Sequence, residues 1–330
     1  MTNKTILRTE KLLRILADGK FHSGESIAQQ LAVSRTAVWK LIQKISDWQL
    51  EVYSVRGKGY RIPGGLDLLD KSALMAQLQL AGASFEQVHV LTSLDSTADF
   101  VANQWKQSPG VATVCIAEHQ SAGRGRKGRR WVSPFAANLY FSIGVALPLG
   151  LSALGGVSLA VGMSLAQTLN RFADDQIKIK WPNDLLVAHK KLAGILVEAS
   201  GDSTDSSFLN IGVGINWQMQ DKQAETIEQP WTNLKTLVGK DVSRGDILAQ
   251  LLINIDQTLS QYQQGGFKHF SQDWAQLSAL YQQPVTIYRT HDKVDGIEIG
   301  IEDNGALKLQ TANGVEVFHS GEVSLRKRAL

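Results

Sequence analysis

Five cations interleaved with three glycines make residues 123–131, GRGRKGRRW, the segment of this chain best suited to chemistry. The cations are Arg124, Arg126, Lys127, Arg129 and Arg130. Glycine lets the backbone come close to an anion, and guanidinium groups bind carboxylate or phosphate at two points. A solvated basic loop is the alternative for any run of charge. The glycines and the terminal Trp131 favour an anion-binding loop instead.

The spacing of Gly123, Gly125 and Gly128 also satisfies G-x-G-x-x-G, the pattern of a dinucleotide-binding turn. That turn needs a helix directly behind it. Here Trp131-Val132-Ser133-Pro134 follows, and the residue before a proline is disfavoured in helical conformation. We therefore exclude a dinucleotide-binding turn.

The charge of the chain is unevenly distributed. The net charge is +3 over 330 residues, of which residues 1–65 contribute +6 and the remaining 265 contribute −3. A basic N-terminal module beside a mildly acidic body favours a polyanionic partner. The length suffices for two or three domains, and 43% hydrophobic with 20% charged residues is typical of a globular protein.

Cysteine usage and hydropathy indicate the compartment. Cys115 is the only cysteine, so an intrachain disulfide is impossible and a buried structural thiol is expected. The N-terminal 20 residues lack the apolar core of a signal peptide. The apolar stretch from Leu147 to Leu169 is interrupted by Pro148 and several glycines, which argues against a membrane span. We expect a cytoplasmic protein.

The N-terminal module has the pattern of a helix-turn-helix. Apolar spacing predicts a first helix over residues 9–17, and Ser23 and Ser34 are predicted N-caps of two further helices. In the last of these, apolar residues recur at i, i+3, i+4 and i+7: Val38, Leu41, Ile42 and Ile45. The other faces of that helix carry the residues expected to read DNA: Arg35, Thr36, Trp39, Lys40 and Gln43.

Two short predicted strands, 50–55 and 60–62, follow and make the module a winged variant. Arg56, Lys58 and Arg61 of this wing are expected to contact phosphates, which adds affinity without sequence information. A helical hairpin with a solvated outer face is the alternative, and the hairpin together with the local charge favours DNA binding. Pro63-Gly64-Gly65 is predicted to be a linker.

The central part alternates strands and helices. We predict helices over 66–80 and 154–172, and strands over 88–91, 111–118, 138–145, 177–181, 185–187, 192–199 and 208–216, with residues 189–191 in a turn. Gly212 and Gly214 lie inside the last strand, where a glycine usually means that a ligand or another backbone comes close. The long polar loop 217–231 has the length of a lid.

Four motifs in this order behind a winged helix-turn-helix resemble the bacterial family of bifunctional biotin protein ligases and biotin operon repressors. They are GRGRKGRRW, KWPND (180–184), KLAGILVE (191–198) and GVGIN (212–216). The resemblance covers residues 12–326. It implies an α+β multi-domain protein: a winged helix-turn-helix (1–63), a mixed-sheet biotin/lipoate-ligase-like catalytic domain (64–282) and an SH3-like β-barrel (283–330).

The resemblance also implies site residues. Lys191, Arg124 and Arg126 are expected to be catalytic, because biotin carboxylate and the α-phosphate of ATP repel each other and need fixed cations. The residues implied to bind biotin are Ser96, Thr97, Ala98, Gln120, Arg124, Gly125, Arg126, Lys191 and Gly194. The family usually has Ser-Thr-Asn where this chain has Ser96-Thr97-Ala98, so one side-chain amide is missing.

Nucleotide binding is implied for a second set: Arg126, Arg129, Trp131, Lys180, Asn183, Asn216, Ile227 and Trp231. The polar loop is then a lid that orders over the adenylate. Asn183 and Asp184 are open to two interpretations, nucleotide or Mg²⁺ positioning and an ordinary Asx-turn. No metal site is expected beyond Mg²⁺ that arrives with ATP, with Asp184 as a weak candidate.

The C-terminal part is predicted to begin with a long helix over 244–264, followed by a second over 267–280. Short strands with turns at Asp295-Gly296, Asn304-Gly305 and Asn313-Gly314 come next. The resemblance places an SH3-like domain here. It also points to Glu322 and Arg326 as residues that face the active site, while exposed tail charges are the alternative.

The function implied is a two-step ligase. Biotin and ATP give biotinyl-5′-AMP, and the biotinyl group is then transferred to a lysine of the biotin carrier domain of acetyl-CoA carboxylase. Biotinyl-5′-AMP also acts as corepressor, and the adenylate-bound homodimer, joined through sheet edges near 192–199, binds operator DNA. Two alternatives remain, a ligand-sensing regulator without catalysis and a lipoate-type acyl-adenylating ligase.

Overall fold

A computed structural model of the chain describes residues 3–46, 48, 50–174, 176–289, 292–320 and 324–327. The N-terminal module consists of helices α1 (Asn3–Leu16), α2 (Gly24–Leu31) and α3 (Arg35–Ser46) and the two-stranded wing β1 (Tyr53–Val55) and β2 (Gly59–Arg61). Helix α1 begins six residues before the predicted start. The predicted caps are present: Ser23 Oγ accepts from the Ser26 N–H at 3.0 Å, and Ser34 Oγ from the Ala37 N–H at 3.2 Å.

The predicted linker, residues 63–65, is a tightly packed turn and not a flexible connection. The Gly65 N–H donates to the Ile62 carbonyl at 3.1 Å, and the Leu66 N–H donates to the Ala17 carbonyl at 2.9 Å. Gly65 has φ +73°, and a Cβ added there would lie 2.4 Å from the Ala17 oxygen. Only glycine fits this corner without displacing α1.

The helix predicted to follow from Leu66 begins later, at Lys71. Asp70 is the N-cap of helix α4 (Lys71–Leu80), and its carboxylate accepts from the Ser72 and Ala73 N–H groups at 2.7 and 3.0 Å. The preceding residues are extended because Leu69 donates its N–H to the Glu118 carboxylate at 2.7 Å. A tertiary contact therefore overrides the helical apolar pattern.

The central sheet has seven strands in the order β3-β4-β5-β9-β8-β7-β6, and only the β3–β4 pair is parallel. The strands are β3 (Gln87–Leu91), β4 (Thr113–Ala117), β5 (Asn138–Leu147), β6 (Ile177–Lys180), β7 (Asp184–Val187), β8 (Lys190–Gly201) and β9 (Ser207–Asn216). Helix α5 (Thr97–Gln107) packs against β4, β5 and β9, and α6 (Val157–Ala173) contributes most of its residues to the main core.

A buried ion pair joins the start of the catalytic part to helix α7 (Arg244–Gly265). Arg244 is fully buried, and its guanidinium lies 2.7 Å from the Glu118 carboxylate and donates to the Asn138 carbonyl at 2.8 Å. It also donates to the Asp67 carbonyl. Because Glu118 binds Leu69 as well, the segment behind the Gly65 corner is fixed to the sheet.

The N-terminal module shares its core with the catalytic part. Trp48 stacks on Phe135 at 5.1 Å and on His119 at 5.8 Å, with interplanar angles of 8° and 25°. Phe135 and Ala136 belong to the same buried cluster as the apolar residues of α1, α2 and α3. Burial, and to a lesser extent Arg130, lowers the pKa of His119 to about 4, so this interface holds a neutral imidazole at neutral pH.

The second helix predicted over residues 267–280 is wrong. Helix α7 ends at two glycines, of which Gly266 has φ +63°. Two 3₁₀ turns (Gly266–His269 and Ser271–Asp273) and the short helix α8 (Trp274–Leu277) follow. The rings of Phe267 and Phe270 face each other and α7, so burial of these aromatics replaces regular helix.

The C-terminal part is one antiparallel sheet in the order β13-β12-β11-β10-β14. Its strands are β10 (Pro284–Tyr288), β11 (Lys293–Ile301), β12 (Leu307–Thr311), β13 (Gly314–Phe318) and β14 (Ser324–Lys327). The turns at Asn304-Gly305 and Asn313-Gly314 are confirmed, but Asp295-Gly296 lies inside β11. There Asp295 accepts from Thr286 Oγ1 at 2.6 Å, and a Cβ on Gly296 would lie 2.8 Å from the Gln310 carbonyl oxygen. Close strand packing explains this glycine.

Within the described ranges, none of the helices has the length and apolar character needed to cross a membrane.

Candidate functional site

The glycine-and-arginine loop folds back on itself as a narrow hairpin. The Trp131 N–H donates to the Gly123 carbonyl and the Gly125 N–H to the Arg129 carbonyl, both at 2.8 Å. Lys127 and Gly128 form the tip with φ values of +57° and +70°. A Cβ on Gly123 would lie 2.6 Å from the Trp131 oxygen, so this glycine is needed for the close approach of the two arms.

Arg124 is bound by two carboxylates. Its guanidinium donates to both oxygens of Glu198 on β8 at 2.7 Å and lies 3.0 Å from Asp99 on α5. The hydrogen bonds that Arg124 donates to Glu198 raise the pKa of Arg124, and burial partly offsets this effect. Arg124 therefore ties the loop to a helix and a strand, and its charge is balanced by acids.

Asp184 is the point on which the other predicted catalytic side chains converge. Lys191 Nζ lies 2.8 Å from its carboxylate, and both side chains are mostly buried. Arg126 donates to the neighbouring Asn183 Oδ1 at 2.9 Å and also to the Ser320 carbonyl of the C-terminal part. Lys191 lies in strand β8, so its predicted place in the turn is wrong. The turn is made by Ala188 and His189, which have positive φ.

Lys180 adds a further cation to this cluster. Burial lowers its pKa, Asp184 acts in the opposite direction, and Lys191, Arg326 and Arg129 lower the pKa further by charge repulsion. The predicted nucleotide residues Lys180 and Arg129 and the C-terminal Arg326 thus face one region. Glu322, the other residue expected from the C-terminal part, lies outside the described residues.

A buried polar network surrounds the start of α5. The Gln120 Oε1 accepts from the Thr97 N–H at 2.8 Å and from its hydroxyl at 3.1 Å, and Thr97 Oγ1 lies 2.8 Å from Ser142 Oγ. Gln120 Nε2 donates to Ser133 Oγ at 3.0 Å. Ser96 is the N-cap of α5. Sequence reasoning missed Ser142 and Ser133, although Ser142 is the one serine in the apolar run of β5.

Two glycines form a floor beneath Trp131. Gly194 and Gly214 are cross-strand partners, and a Cβ would lie 2.9 Å from the indole at Gly194 and 2.3 Å from it at Gly214. Lys191 Nζ lies 5.4 Å from the centre of the same ring. The group that comes close to Gly214 is therefore the Trp131 side chain, neither the ligand nor the second backbone expected from the sequence, and Gly212 has only an ordinary contact with Ser142 Oγ at 3.5 Å. Trp131 Nε1 is buried and has no hydrogen-bond partner among the described residues.

The predicted lid is joined to Lys191 through the backbone. The Lys191 N–H donates to the Pro230 carbonyl at 2.8 Å, and the Lys191 carbonyl accepts from Thr232 at 2.9 Å and from Asn216 Nδ2 at 3.2 Å. Ile227 and Trp231 pack against the same buried cluster as Val132, the residue after Trp131; this cluster consists of Ala137, Met219 and Ala224. The structure therefore brings the predicted lid residues and the loop together.

The predicted DNA-reading side chains of α3 are all exposed. Arg56 and Lys58 of the wing are exposed as well. Arg61 is different: its guanidinium lies 4.7 Å from the centre of the Phe21 ring and 5.3 Å from that of Tyr53, and its Nε is buried without a partner among the described residues. Its contacts are those of a residue that packs the wing.

The acidic groups at this site do not fit a protein-held Mg²⁺. No cluster of three potential metal-binding side chains occurs in the described ranges of the chain. Asp184, the candidate from sequence, is paired with Lys191 and lies among Lys180 and Arg126, which would repel a divalent cation. We therefore assign no step to a metal bound by this chain.

Known proteins share this organisation. The biotin/lipoate A/B protein ligase family model matches residues 90–216, an HTH domain model matches 8–61, and the biotin protein ligase C-terminal domain model matches 283–326. The bifunctional ligase/repressor BirA of Escherichia coli (strain K12) is 37% identical over 316 residues, which is 96% of either chain. The protein of that name from Bacillus subtilis (strain 168) is 29% identical over 94% of this chain and 95% of its own.

A solved structure agrees in fold. Biotin protein ligase from Aquifex aeolicus, in complex with biotin and ATP, has a TM-score of 0.62 and 30% identity, and the match covers 74% of this chain and 100% of that one. The helix-turn-helix, the catalytic sheet and the C-terminal β domain are thus each matched by a family model, and the E. coli relative spans them all. The chain belongs to the biotin protein ligase family, as one of its bifunctional ligase/repressors.

Proposed function

We propose that this chain joins biotin to ATP at the cation cluster around Asp184 and then passes the biotinyl group to a carrier lysine. The observation that carries this proposal is the grouping of three cations around the Asn183-Asp184 turn: Lys191 is paired with Asp184, Arg126 donates to Asn183, and Lys180 is near enough for Asp184 to influence its pKa. Lys191 lies on β8, Arg126 in the glycine-and-arginine loop and Lys180 on β6. Three cations near one carboxylate leave an excess of positive charge that attracts anions.

The first step brings two anions together. A carboxylate oxygen of biotin attacks the α-phosphorus of ATP, an O–P bond forms, and pyrophosphate leaves. Like charges in a partly dry site repel each other by several kcal/mol, and fixed cations remove that cost in the transition state. Lys191 and Arg126 are the residues proposed to do so, with Lys180 and Arg129 at the phosphates. Asp184 holds Lys191 in place before the substrates arrive.

In this proposal Arg124 does not neutralise the charge of the substrates directly. Its charge is balanced by Glu198 and Asp99, so we assign it to holding the loop in position. Gly125 and Gly194 then provide backbone access to the ligand. The polar end of biotin is assigned to the network of Ser96, Thr97 and Gln120, whose buried groups are already satisfied and oriented.

The second step needs the mixed anhydride to survive until the carrier arrives. The carrier lysine amine attacks the acyl carbon, an amide forms, and AMP leaves. The lid residues Ile227 and Trp231, which pack against the same buried cluster as Val132, are proposed to cover adenine and exclude water. Asn216, bonded to the Lys191 carbonyl, positions this part of the backbone. Mg²⁺ is expected only as part of the nucleotide.

The repressor activity is proposed to depend on a homodimer formed through β8. Strand β7 pairs with β8 only from Lys190 to Gly194, and Ile195 is bonded to Asn183. From Leu196 to Gly201, β9 is the one strand paired with β8 in the described part of the chain. A strand with a free edge is a template for pairing with a second copy. Two wings and two α3 helices would then face operator DNA in the cytoplasm.

Mass spectrometry under non-denaturing conditions tests the ligase. The purified chain is incubated with biotin and Mg-ATP, and we expect the mass of bound biotinyl-5′-AMP together with exchange of labelled pyrophosphate into ATP. Exchange without biotin, or none with it, would contradict the proposal and favour a sensor without chemistry. Lipoate is the control substrate: exchange at equal rates with lipoate would favour the lipoate-type alternative.

A further inference from the structure

Asn210 is a buried amide that contacts both halves of the biotin site. It lies on β9, two residues before Gly212 and four before Gly214, so its side chain shares their face of the sheet. Its Nδ2 donates to the Ala98 carbonyl at 2.9 Å and lies 3.4 Å from the Glu198 carboxylate. Only 3% of the residue is exposed.

The two partners of Asn210 belong to different parts of the site. Ala98 lies in the first turn of α5, directly behind Ser96 and Thr97. Glu198 is the carboxylate that binds the Arg124 guanidinium with both oxygens. One amide group therefore fixes the spacing between the start of α5 and the anchor of the glycine-and-arginine loop.

Stability alone does not account for an asparagine at this position. Asn210 Oδ1 is buried and has no hydrogen-bond partner among the described residues, and such an acceptor is unfavourable. The flanking strand residues Leu209 and Ile211 are fully buried, and a β-branched residue suits a strand better than asparagine. An asparagine with an unpaired buried oxygen inside an apolar strand points to a positional role.

We propose that Asn210 is a positioning residue for biotin, which supplies from β9 the side-chain amide that is absent at position 98. It holds the Ser96–Ala98 turn at a fixed distance from the Glu198–Arg124 pair. This inference rests on the proposed ligase function. It implies that loss of the amide weakens biotin binding while ATP binding, which belongs to the cluster around Asp184, is unaffected.

The test compares Asn210→Val and the near-isosteric Asn210→Leu with the wild-type chain. Pyrophosphate exchange is measured with biotin and ATP varied in turn, and thermal unfolding is followed for each variant. We expect a rise in the KM for biotin of at least about tenfold, a KM for ATP within about twofold, and a melting temperature equal to or above that of the wild type. Two variants of different shape separate loss of the amide from loss of packing.

Asn254→Val is the matched control. Asn254 on α7 donates to Thr168 Oγ1 at 2.7 Å, between helices away from the site. We expect this variant to lower the melting temperature and to leave the KM for biotin unchanged. A biotin KM within twofold of wild type in both Asn210 variants would overturn the inference, as would equal rises in both KM values. A wild-type chain without biotin-dependent exchange would overturn the proposed function itself.

Discussion

Lys191 Nζ and the Asp184 carboxylate lie 2.8 Å apart with side-chain exposures of 16% and 19%. They are brought together by the β7–β8 hairpin, in which Asp184 is paired with Gly194 across a bulge at Leu185 and Leu186. The bulge re-aims the start of β8, so that Lys191 points at Asp184 and the indole of Trp131. The short distance between Lys191 and Asp184 thus depends on the register of β7 and β8.

Replacement of Lys191 by alanine is expected to slow adenylate formation by about 10²- to 10³-fold, because a fixed cation is lost where charge develops. The fold should tolerate the change, since Asp184 still has Lys180 and Arg126 nearby. Single-turnover pyrophosphate release measures the rate. Lys190→Ala, an exposed neighbour, is the control and should behave like the wild type. An unaltered rate in Lys191→Ala would remove this lysine from the chemistry.

Arg126→Ala is expected to release the intermediate prematurely. Arg126 joins the loop to Asn183 and to Ser320, so its removal frees the loop on the side of the C-terminal sheet. The measurement is the rate at which biotinyl-5′-AMP dissociates from the protein. We expect this rate to rise by roughly tenfold or more, which corresponds to the loss of about one or two charge-assisted hydrogen bonds. Arg130→Ala in the same loop is the control, and equal leakage in both variants would argue against loop closure by Arg126.

Gly214→Ala is expected to impair biotin activation, because the new Cβ would lie 2.3 Å from the Trp131 indole. Overpacking of this kind costs about 1–3 kcal/mol and displaces the ring. Gly212→Ala is the matched control on the same strand, since its nearest neighbour, Ser142 Oγ, lies 3.5 Å away in ordinary contact. Exchange assays and melting temperatures of the two variants decide the matter. Equal behaviour of the two variants would show that the glycine floor has no role.

The wing offers a contrast between a phosphate contact and a packing residue. Lys58→Ala should lower operator affinity and reduce the slope of log affinity against log salt by about one, with little change in melting temperature. Arg61→Ala should instead lower the melting temperature of the N-terminal module, because the guanidinium lies between Phe21 and Tyr53. An Arg61→Ala variant with unchanged unfolding and a reduced salt slope would reverse this assignment.

Glu298 predicts a pH-dependent stability. It is fully buried, with Ser278 and Trp274 donating to one oxygen at 2.6 and 3.0 Å. Burial raises its pKa above 4.5 despite these donors. The folded state thus retains a proton that the unfolded state releases, so this stabilisation is complete below pH 4.5 and is lost as pH rises through the folded pKa.

The isosteric Glu298→Gln variant has no titratable group at this position, so its stability lacks this pH dependence. We expect the difference in melting temperature, variant minus wild type, to grow as pH rises above 4.5 and then to level off. Thermal unfolding of both proteins from pH 4 to 8 measures it. A difference that does not change with pH would show that folding does not raise the pKa of Glu298.

The sequence predicted the elements that local patterns determine. The stripe of α3, the caps at Ser23 and Ser34 and two Asn-Gly turns are short-range features, and they are confirmed. The helices over 66–80 and 267–280 failed because long-range contacts decide those segments: Glu118 holds Leu69 extended, and Phe267 and Phe270 turn the chain toward α7. Asp295-Gly296 has turn composition but is a strand, since Gly296 is required by a neighbouring strand.

The candidate site was predictable in its residue types but not in its pairings. The family resemblance identifies Lys191, Arg126 and Gln120, yet nothing local shows that Arg124 is bound by Asp99 and Glu198 from two other elements. Ser142 and Asn210 were not predicted as site residues for the same reason, because their contacts depend on the register of β5, β9 and β8. Side chains that act through cross-strand neighbours require the sheet order to be known first.

The packed corner at Gly65 bears on the geometry of the homodimer that we propose. Because the N-terminal module is joined to the catalytic part without a flexible tether, the separation of two recognition helices in that dimer would be set by the proposed β8 interface. Half-sites must then be spaced by whole turns of the duplex, and an operator lengthened by about five base pairs would present its second half on the wrong side. Such a homodimer would bind only those operators whose half-sites have the matching spacing.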